Sequence, residues 1–255
     1  MMKKHFFIVI LMLLGFISCD VAKTRIFTSF VTAYYNTNQL ELETTESGNI
    51  VIIGTGRGWM CEWKSKGKQK QIYDSLCVLH NDISYNTELE YGLGAPGPIY
   101  FKGDILSIEV FSNKNYDAQH PANASLNDIV RVMSISPYKH IASNYKEFYN
   151  WKRDFPAEFS NDSLLLPYRD LVYSFQSYKK DHPSEMYPVN KRLSEATASD
   201  FVLMELVDRY YKGGSPMAIL MFEKAPDIAE THEVTVRISL SDGFACYPKI
   251  QISFE

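Results

Sequence analysis

The sequence predicts a mainly β protein, an antiparallel β-sandwich of immunoglobulin-like or related type with one or two peripheral helices. Three observations carry this. The C-terminal HEVTVRISL alternates Val234, Val236, Ile238 and Leu240 against Glu233, Thr235, Arg237 and Ser239; SDGF then supplies an Asp-Gly turn and KIQISFE alternates again, a hairpin with one buried face. The chain is rich in aromatic residues, with 15 Phe, 17 Tyr and 3 Trp, and tyrosine at this level suits half-buried pleated surfaces. Short β-patterned runs also recur between glycine, proline and asparagine punctuation.

The elements follow in order. From Ile26 to Tyr35, IFTSFVTAYY mixes aromatic rings with Val and Thr as strands do, and GNIVIIG at 48–54 is a short apolar run closed by glycines, as in a buried strand. YGLGAPGP at 91–98 packs three glycines and two prolines into eight residues and is a loop. IYFKGDILSIEVFS at 99–112 resumes the β pattern around a Gly-Asp turn. IVRVMSI at 129–135 puts Ile129, Arg131, Met133 and Ile135 on one face and Val130, Val132 and Ser134 on the other. Two helices are expected. In NYKEFYNWK, Asn144 and Glu147 resemble a capping box, with Tyr145, Phe148, Tyr149 and Lys152 at helical spacing. In SDFVLMELVDRYYKGG, Ser199 or Asp200 caps the start and Gly213-Gly214 stops the end, although FVLMELV also reads as a strand. With no repeat or long linker, residues 26–255 are expected to form one β-rich domain, and 112–125 is where a subdivision would fall.

The first residues read differently. Lys3 and Lys4 precede Phe6 to Ile17, all apolar apart from Gly15, which is the layout of an export signal. The run is too short for a span, which takes roughly 20 apolar residues, and it lacks the polar face of a core helix. It ends in GFISCD without a pair of small residues suited to ordinary signal peptidase. Ser18-Cys19 instead resembles the lipobox of bacterial lipoproteins, with Phe16 standing where that family usually has Leu or another aliphatic residue. The resemblance implies that residues 1–18 are removed and that Cys19 becomes the first residue, carries the acyl chains and begins a lipidated tether over 19–25. It also implies a bacterial cell-envelope location, at the outer membrane or cell surface rather than the inner membrane. The order of parts, with SLND at 125–128 in an Asn-rich loop, then a strand, a variable middle and a closing hairpin, is similar to small exported β-rich lipoproteins of the Bacteroidota type. That likeness offers no catalytic residue.

Losing residues 1–18 takes two lysines and no acid from 26 basic and 30 acidic residues, so the mature charge is about −6. The densest basic run, KSKGKQK at 64–70, reads as a solvated turn, and nucleic acid is not an expected partner. Beyond Cys19 the cysteines are Cys61, Cys77 and Cys246, an odd count. A Cys61–Cys77 bridge would add about 3 kcal/mol by chain entropy, but burial of all three as small hydrophobes is the favoured reading.

Motifs with chemistry are few. GTGRGW at 54–59 has Trp59 where a dinucleotide fingerprint needs its third glycine, and is read as a glycine turn. NKNYD at 113–117 offers oxygens at alternate positions, but Ala118 replaces the calcium-loop glycine, so an Asn-rich turn is expected. The histidines His80, His120, His140, His182 and His232 show no metal-ligand spacing, and no metal or cofactor is expected. GGSPM at 213–217 is not a nucleophile elbow. Glu88 with Glu90, or Asp104 with Glu109, would serve a glycosidase only at the right separation. In WMCEW, an extended chain puts Trp59, Cys61 and Trp63 on one face, and the two indoles are the candidate ligand-binding residues, able to stack on sugars if exposed.

The expected function is therefore a membrane-anchored, non-enzymatic module that binds a glycan, a peptide or a neighbouring envelope protein. Two alternatives stand beside it. One is a small envelope hydrolase built from distant carboxylates or from Cys61 and a histidine. The other is a fimbria-like subunit whose C-terminal strands provide an edge for strand addition.

Overall fold

A computed structural model describes residues 23–45, 48–91, 97–151, 184–205 and 215–254. In chain order the elements are β1 (Lys23–Phe27), β2 (Ala33–Thr44), β3 (Ile50–Cys61), α1 (Gly67–Leu79), β4 (Thr87–Tyr91), β5 (Ile99–Phe101), β6 (Ile105–Ser112), β7 (Val130–Ser136), α2 (Tyr138–Ala142), β8 (Tyr187–Arg192), β9 (Ser215–Phe222), β10 (Thr231–Leu240), β11 (Ala245–Cys246) and β12 (Lys249–Ser253). The protein is mainly β and folds as a sandwich. A six-stranded sheet in the order β5-β2-β3-β9-β7-β8 faces a four-stranded sheet in which β10 pairs with β6 on one side and with β11 and β12 on the other. Every pair is antiparallel except β2 with β5.

Alternation along the strands fills the space between the sheets. Val234, Val236 and Ile238 of β10 and Ile108 and Val110 of β6 meet Ile50 and Ile52 of β3, Val130 and Val132 of β7 and Leu220 of β9. The other face of the six-stranded sheet is covered too. Val51, Ile53, Met133, Ile135 and Ile219 pack there against Tyr73 and Cys77 of α1 and against Ile141, Trp151 and Leu203. With both faces buried, β7 reads as an apolar run on both sides, which is why IVRVMSI shows no polar face.

Two irregularities position the rest. Register shifts between Tyr35 and Gln39 of β2 flip the face of everything beyond them, so Tyr34 and Met60 enter the core under α1 while Leu40 and Ile52 enter the sandwich core. Gly58, at φ +79°, lies in this bulged stretch. GTGRGW is thus neither a phosphate loop nor the expected turn, but part of a continuous strand. Gly54 has its own reason: a Cβ there would stand 2.2 Å from Cζ of Phe101, whose ring lies over it.

The hairpin of β10 and β12 forms as the sequence predicts, with Thr231 opposite Ser253, a reversal at Gly243 (φ +83°) and the Phe244 N–H on Asp242. IFTSFVTAYY is broken at 28–32, separating β1 from β2, and β1 begins at Lys23, within the stretch assigned to the tether. β5 and β6 flank the Gly-Asp turn but belong to different sheets.

The helices are displaced from expectation. KSKGKQK is not a turn throughout, because α1 starts inside it at Gly67; α1 buries only Tyr73 and Cys77, a seam of one i, i+4 pair with little apolar pattern to announce it. No helix runs over 144–150. α2 ends before it, and Asn144 and Tyr145 have φ of +56° and +59°, so Asn144 reverses the chain where a cap was expected. The Ser143 hydroxyl accepts the N–H groups of Lys146 and Glu147, and Tyr149 pairs with Ser184. Around 199, a single 3-10 turn (Ala198–Asp200) has Thr197 as its cap, with Asp200 completing a capping box. Leu203 (φ +52°) then turns Glu205 into a bridge with Ile135, and residues 206–214 lie outside those described.

Candidate functional site

The predicted site residues divide. Cys19, His182 and the leader lie outside the described residues. Trp59 at the end of β3 and Trp63 in the following turn do meet, with ring centroids 5.9 Å apart and planes at 89°. Both are half-buried, and Trp63 also packs edge-on against the fully buried Phe27 at 5.9 Å. The Trp63 Nε1 is buried without an acceptor among the described residues. Edge-to-face indoles do not form one flat platform, so they cannot hold a sugar ring across both faces.

A better-shaped surface lies at the opposite edge of the six-stranded sheet. Between β7, α2, β8 and the 3-10 turn runs an open groove of about 250 Å³, with Tyr138, Tyr149 and Tyr187 as its aromatic walls and Lys139, Asn190 and Lys191 among its polar groups. The topology builds it. β7 and β8 pair with Ser136 opposite Tyr187, which brings Tyr187 beside α2, and the Tyr149–Ser184 bridge brings the Tyr149 ring to 5.5 Å from Tyr187. Lys139 places Nζ 5.7 Å from the centroid of Tyr187, and Lys191 Nζ bonds both Asp200 oxygens at 2.8 and 2.9 Å. Burial pushes the Asp200 carboxyl up, but Lys191 and the Thr197 N–H and hydroxyl more than offset this and hold it below the ordinary carboxylate value. Burial raises the Tyr187 phenol, so it stays a neutral donor. Sequence reading missed this groove, because its tyrosines come from three separate segments and none is spaced as a motif.

A third cluster has the look of catalytic machinery. The Tyr34 hydroxyl is 2.9 Å from His80 Nδ1, and His80 Nε2 is 2.8 Å from Asp104 Oδ2. Tyr34 is fully buried and His80 is 3% exposed, so no substrate reaches the hydroxyl, whose own ionisation burial opposes first of all. The relay instead pins the end of α1 to the turn before β6. Cys77 beside it accepts the Ser29 hydroxyl at 3.3 Å, and burial lifts its thiol to about 11, the opposite of an activated nucleophile. Cys61, Cys77 and Cys246 are all free thiols, the first two buried.

The remaining candidates are engaged elsewhere. Asp104 belongs to His80 and Glu109 to Arg237, so they do not form an acid/base pair. Glu88 and Glu90 are exposed on one face of β4. In NKNYD the oxygens serve the fold: Asn113 accepts the Glu233 N–H, Asn115 accepts the Ala122 N–H, and Asp117 accepts the N–H groups of Gln119 and His120. Among the described residues no group of three or more His, Cys, Asp or Glu is arranged to hold a metal. Nor is any helix among them long and apolar enough to cross a membrane.

No family model, curated protein or solved structure matches this chain. The site must be read from its own chemistry.

Proposed function

We propose that this is an exported lipoprotein, anchored through Cys19 in the bacterial cell envelope, whose folded body binds a glycan without transforming it. The observation that carries the binding is the tyrosine-walled groove. Three aromatic rings offer apolar faces to sugar C–H groups, and Asn190, Lys191 and Ser199 offer partners for hydroxyls, the mixture that carbohydrate recognition requires. At about 250 Å³ the groove is smaller than the roughly 300 Å³ at which small-molecule pockets begin, and it is partly open to solvent. This suits a short stretch of a longer chain lying across the surface.

The support for the anchor is the leader: two lysines, a short apolar run and Ser18-Cys19. Acyl chains contribute about 0.8 kcal/mol per buried CH₂, and several chains together make anchoring stable. Two measurements test the reading. Calorimetric titration with a panel of envelope polysaccharides is expected to find a binder whose affinity falls in Tyr187→Ala; no heat across the panel sinks the glycan assignment. Labelled palmitate is expected to enter the wild type and not Cys19→Ala, and label in the variant sinks the anchor.

A further inference from the structure

We propose that the end of the body carrying Lys23, Arg25, Trp59 and Trp63 rests on an anionic lipid surface. This rests on the lipid anchor at Cys19 and adds an orientation to it. Because β1 begins at Lys23, only three residues separate the anchor from the first paired strand, and the four Cα–Cα steps from Cys19 to Lys23 reach at most about 14 Å. The headgroup layer on each side of a bilayer core is itself about 5 to 8 Å thick. The β1 end therefore lies at the headgroups, and its chemistry matches that position.

The ribbon of β1 and β4 sorts its charges by face. With Lys23 opposite Tyr91, Arg25 opposite Leu89 and Phe27 opposite Thr87, one face carries the cations and the aromatic rings; Thr24, Ile26, Glu88 and Glu90 occupy the other. Phe27 on the first face joins Tyr91 at 6.2 Å and Trp63 at 5.9 Å, and Trp63 joins Trp59, so a run of half-buried Trp and Tyr side chains lies beside Lys23 and Arg25. Glu62, beside this face, is buried, receives the Thr28 N–H and lies 3.6 Å from Arg25, so its carboxylate is not presented to solvent. Lys64 and Lys66 stand exposed just after Trp63. Indoles and phenols beside cations are the side chains that favour the membrane–water interface, and each Lys or Arg near an anionic surface strengthens binding about fivefold. The acidic face of the same ribbon is repelled, so the contact has one preferred orientation on a body that is net acidic.

The test uses the full-length lipidated protein in vesicles of phosphatidylcholine, with or without phosphatidylglycerol, carrying lipids brominated near the headgroup. Tryptophan emission is expected to be quenched, more strongly with phosphatidylglycerol. The quenching is expected to vanish in Trp59→Phe/Trp63→Phe, where the buried Trp151 alone remains, and to fall to the neutral-vesicle level in Lys64→Glu/Lys66→Glu, whose exposed positions leave the fold intact. If palmitate label is present on the wild type but bromolipid quenches it no more than the double tryptophan variant, the docking is overturned and the anchor stands. If no label enters, both are overturned.

Discussion

Tyr145 donates its hydroxyl to Oδ1 of the fully buried Asp82 at 2.7 Å, joining segments 63 residues apart. The same carboxylate accepts the Phe30 N–H at 2.7 Å and the Val31 N–H at 2.8 Å, the backbone donors left over where the chain breaks between β1 and β2. Asp82→Ala strands these donors in the core and is expected to cost about 3 to 5 kcal/mol, against about 1 to 3 for Tyr145→Phe. Chemical denaturation measures both. Burial raises the Asp82 carboxyl despite its donors, so its stabilisation is greatest below its unfolded value near 4 and is lost as pH rises through the folded value; Asp82→Asn removes that slope.

The 113–128 loop has its own pH window. His120 lies 2.7 Å from Asp117 and 2.9 Å from Asp128, and Lys224 pairs with Asp117 at 2.5 Å. Lys224 chiefly, with His120 and two backbone N–H groups, holds the Asp117 carboxyl well below its ordinary value. Burial pulls His120 down, but the two carboxylates more than offset it and raise it. Asp117's contribution is present above about pH 4 and lost as pH falls; His120's is present below about 6.5 and lost as pH rises through its folded value. Amide protection in this loop, the ratio of intrinsic to observed exchange rate, is expected to be greatest between those limits, and an imidazole titrating below 6.5 by NMR would contradict the geometry.

Asn127 seals the outer edge of β6. Its carboxamide accepts the Val110 N–H at 3.0 Å and donates to the Ile108 carbonyl at 3.2 Å, standing in for a neighbouring strand. Asn127→Ala is expected to destabilise by about 1 to 3 kcal/mol and to speed exchange at Val110; Asn127→Asp keeps the acceptor and loses less. The SLND motif is therefore structural.

Gly54→Ala forces a methyl group into the Phe101 ring and is expected to cost about 1 to 3 kcal/mol. Phe101→Leu should recover part of this, a non-additivity that a double-mutant cycle measures.

In the groove, Tyr187→Ala and Tyr149→Ala are each expected to weaken glycan binding on the order of tenfold, about 1.4 kcal/mol, while Trp59→Phe leaves it unchanged. Equal loss from Trp59→Phe would return the sugar site to the indoles.

Local rules were enough for the mainly β class, the buried GNIVIIG strand and the closing hairpin, because a two-residue period and an Asp-Gly turn act within a few residues. The same rules failed for the helices. The seam of α1 is one pair of side chains, and the rings of Tyr145 and Phe148, spaced as on a helix, are drawn instead onto His140 in a left-handed reversal. The meeting of Trp59 with Trp63 follows from their nearness in sequence. The groove of Tyr138, Tyr149 and Tyr187 depends on strand register, and the Asp82 and His80 networks depend on partners 24 to 63 residues away. By itself the sequence determined the acidic aromatic-rich composition and the strands that have one buried face. Only the tertiary structure decided which strands share a sheet, which face each residue takes beyond the β2 bulges and where tyrosines converge, because a register shift of one residue inverts every side chain after it.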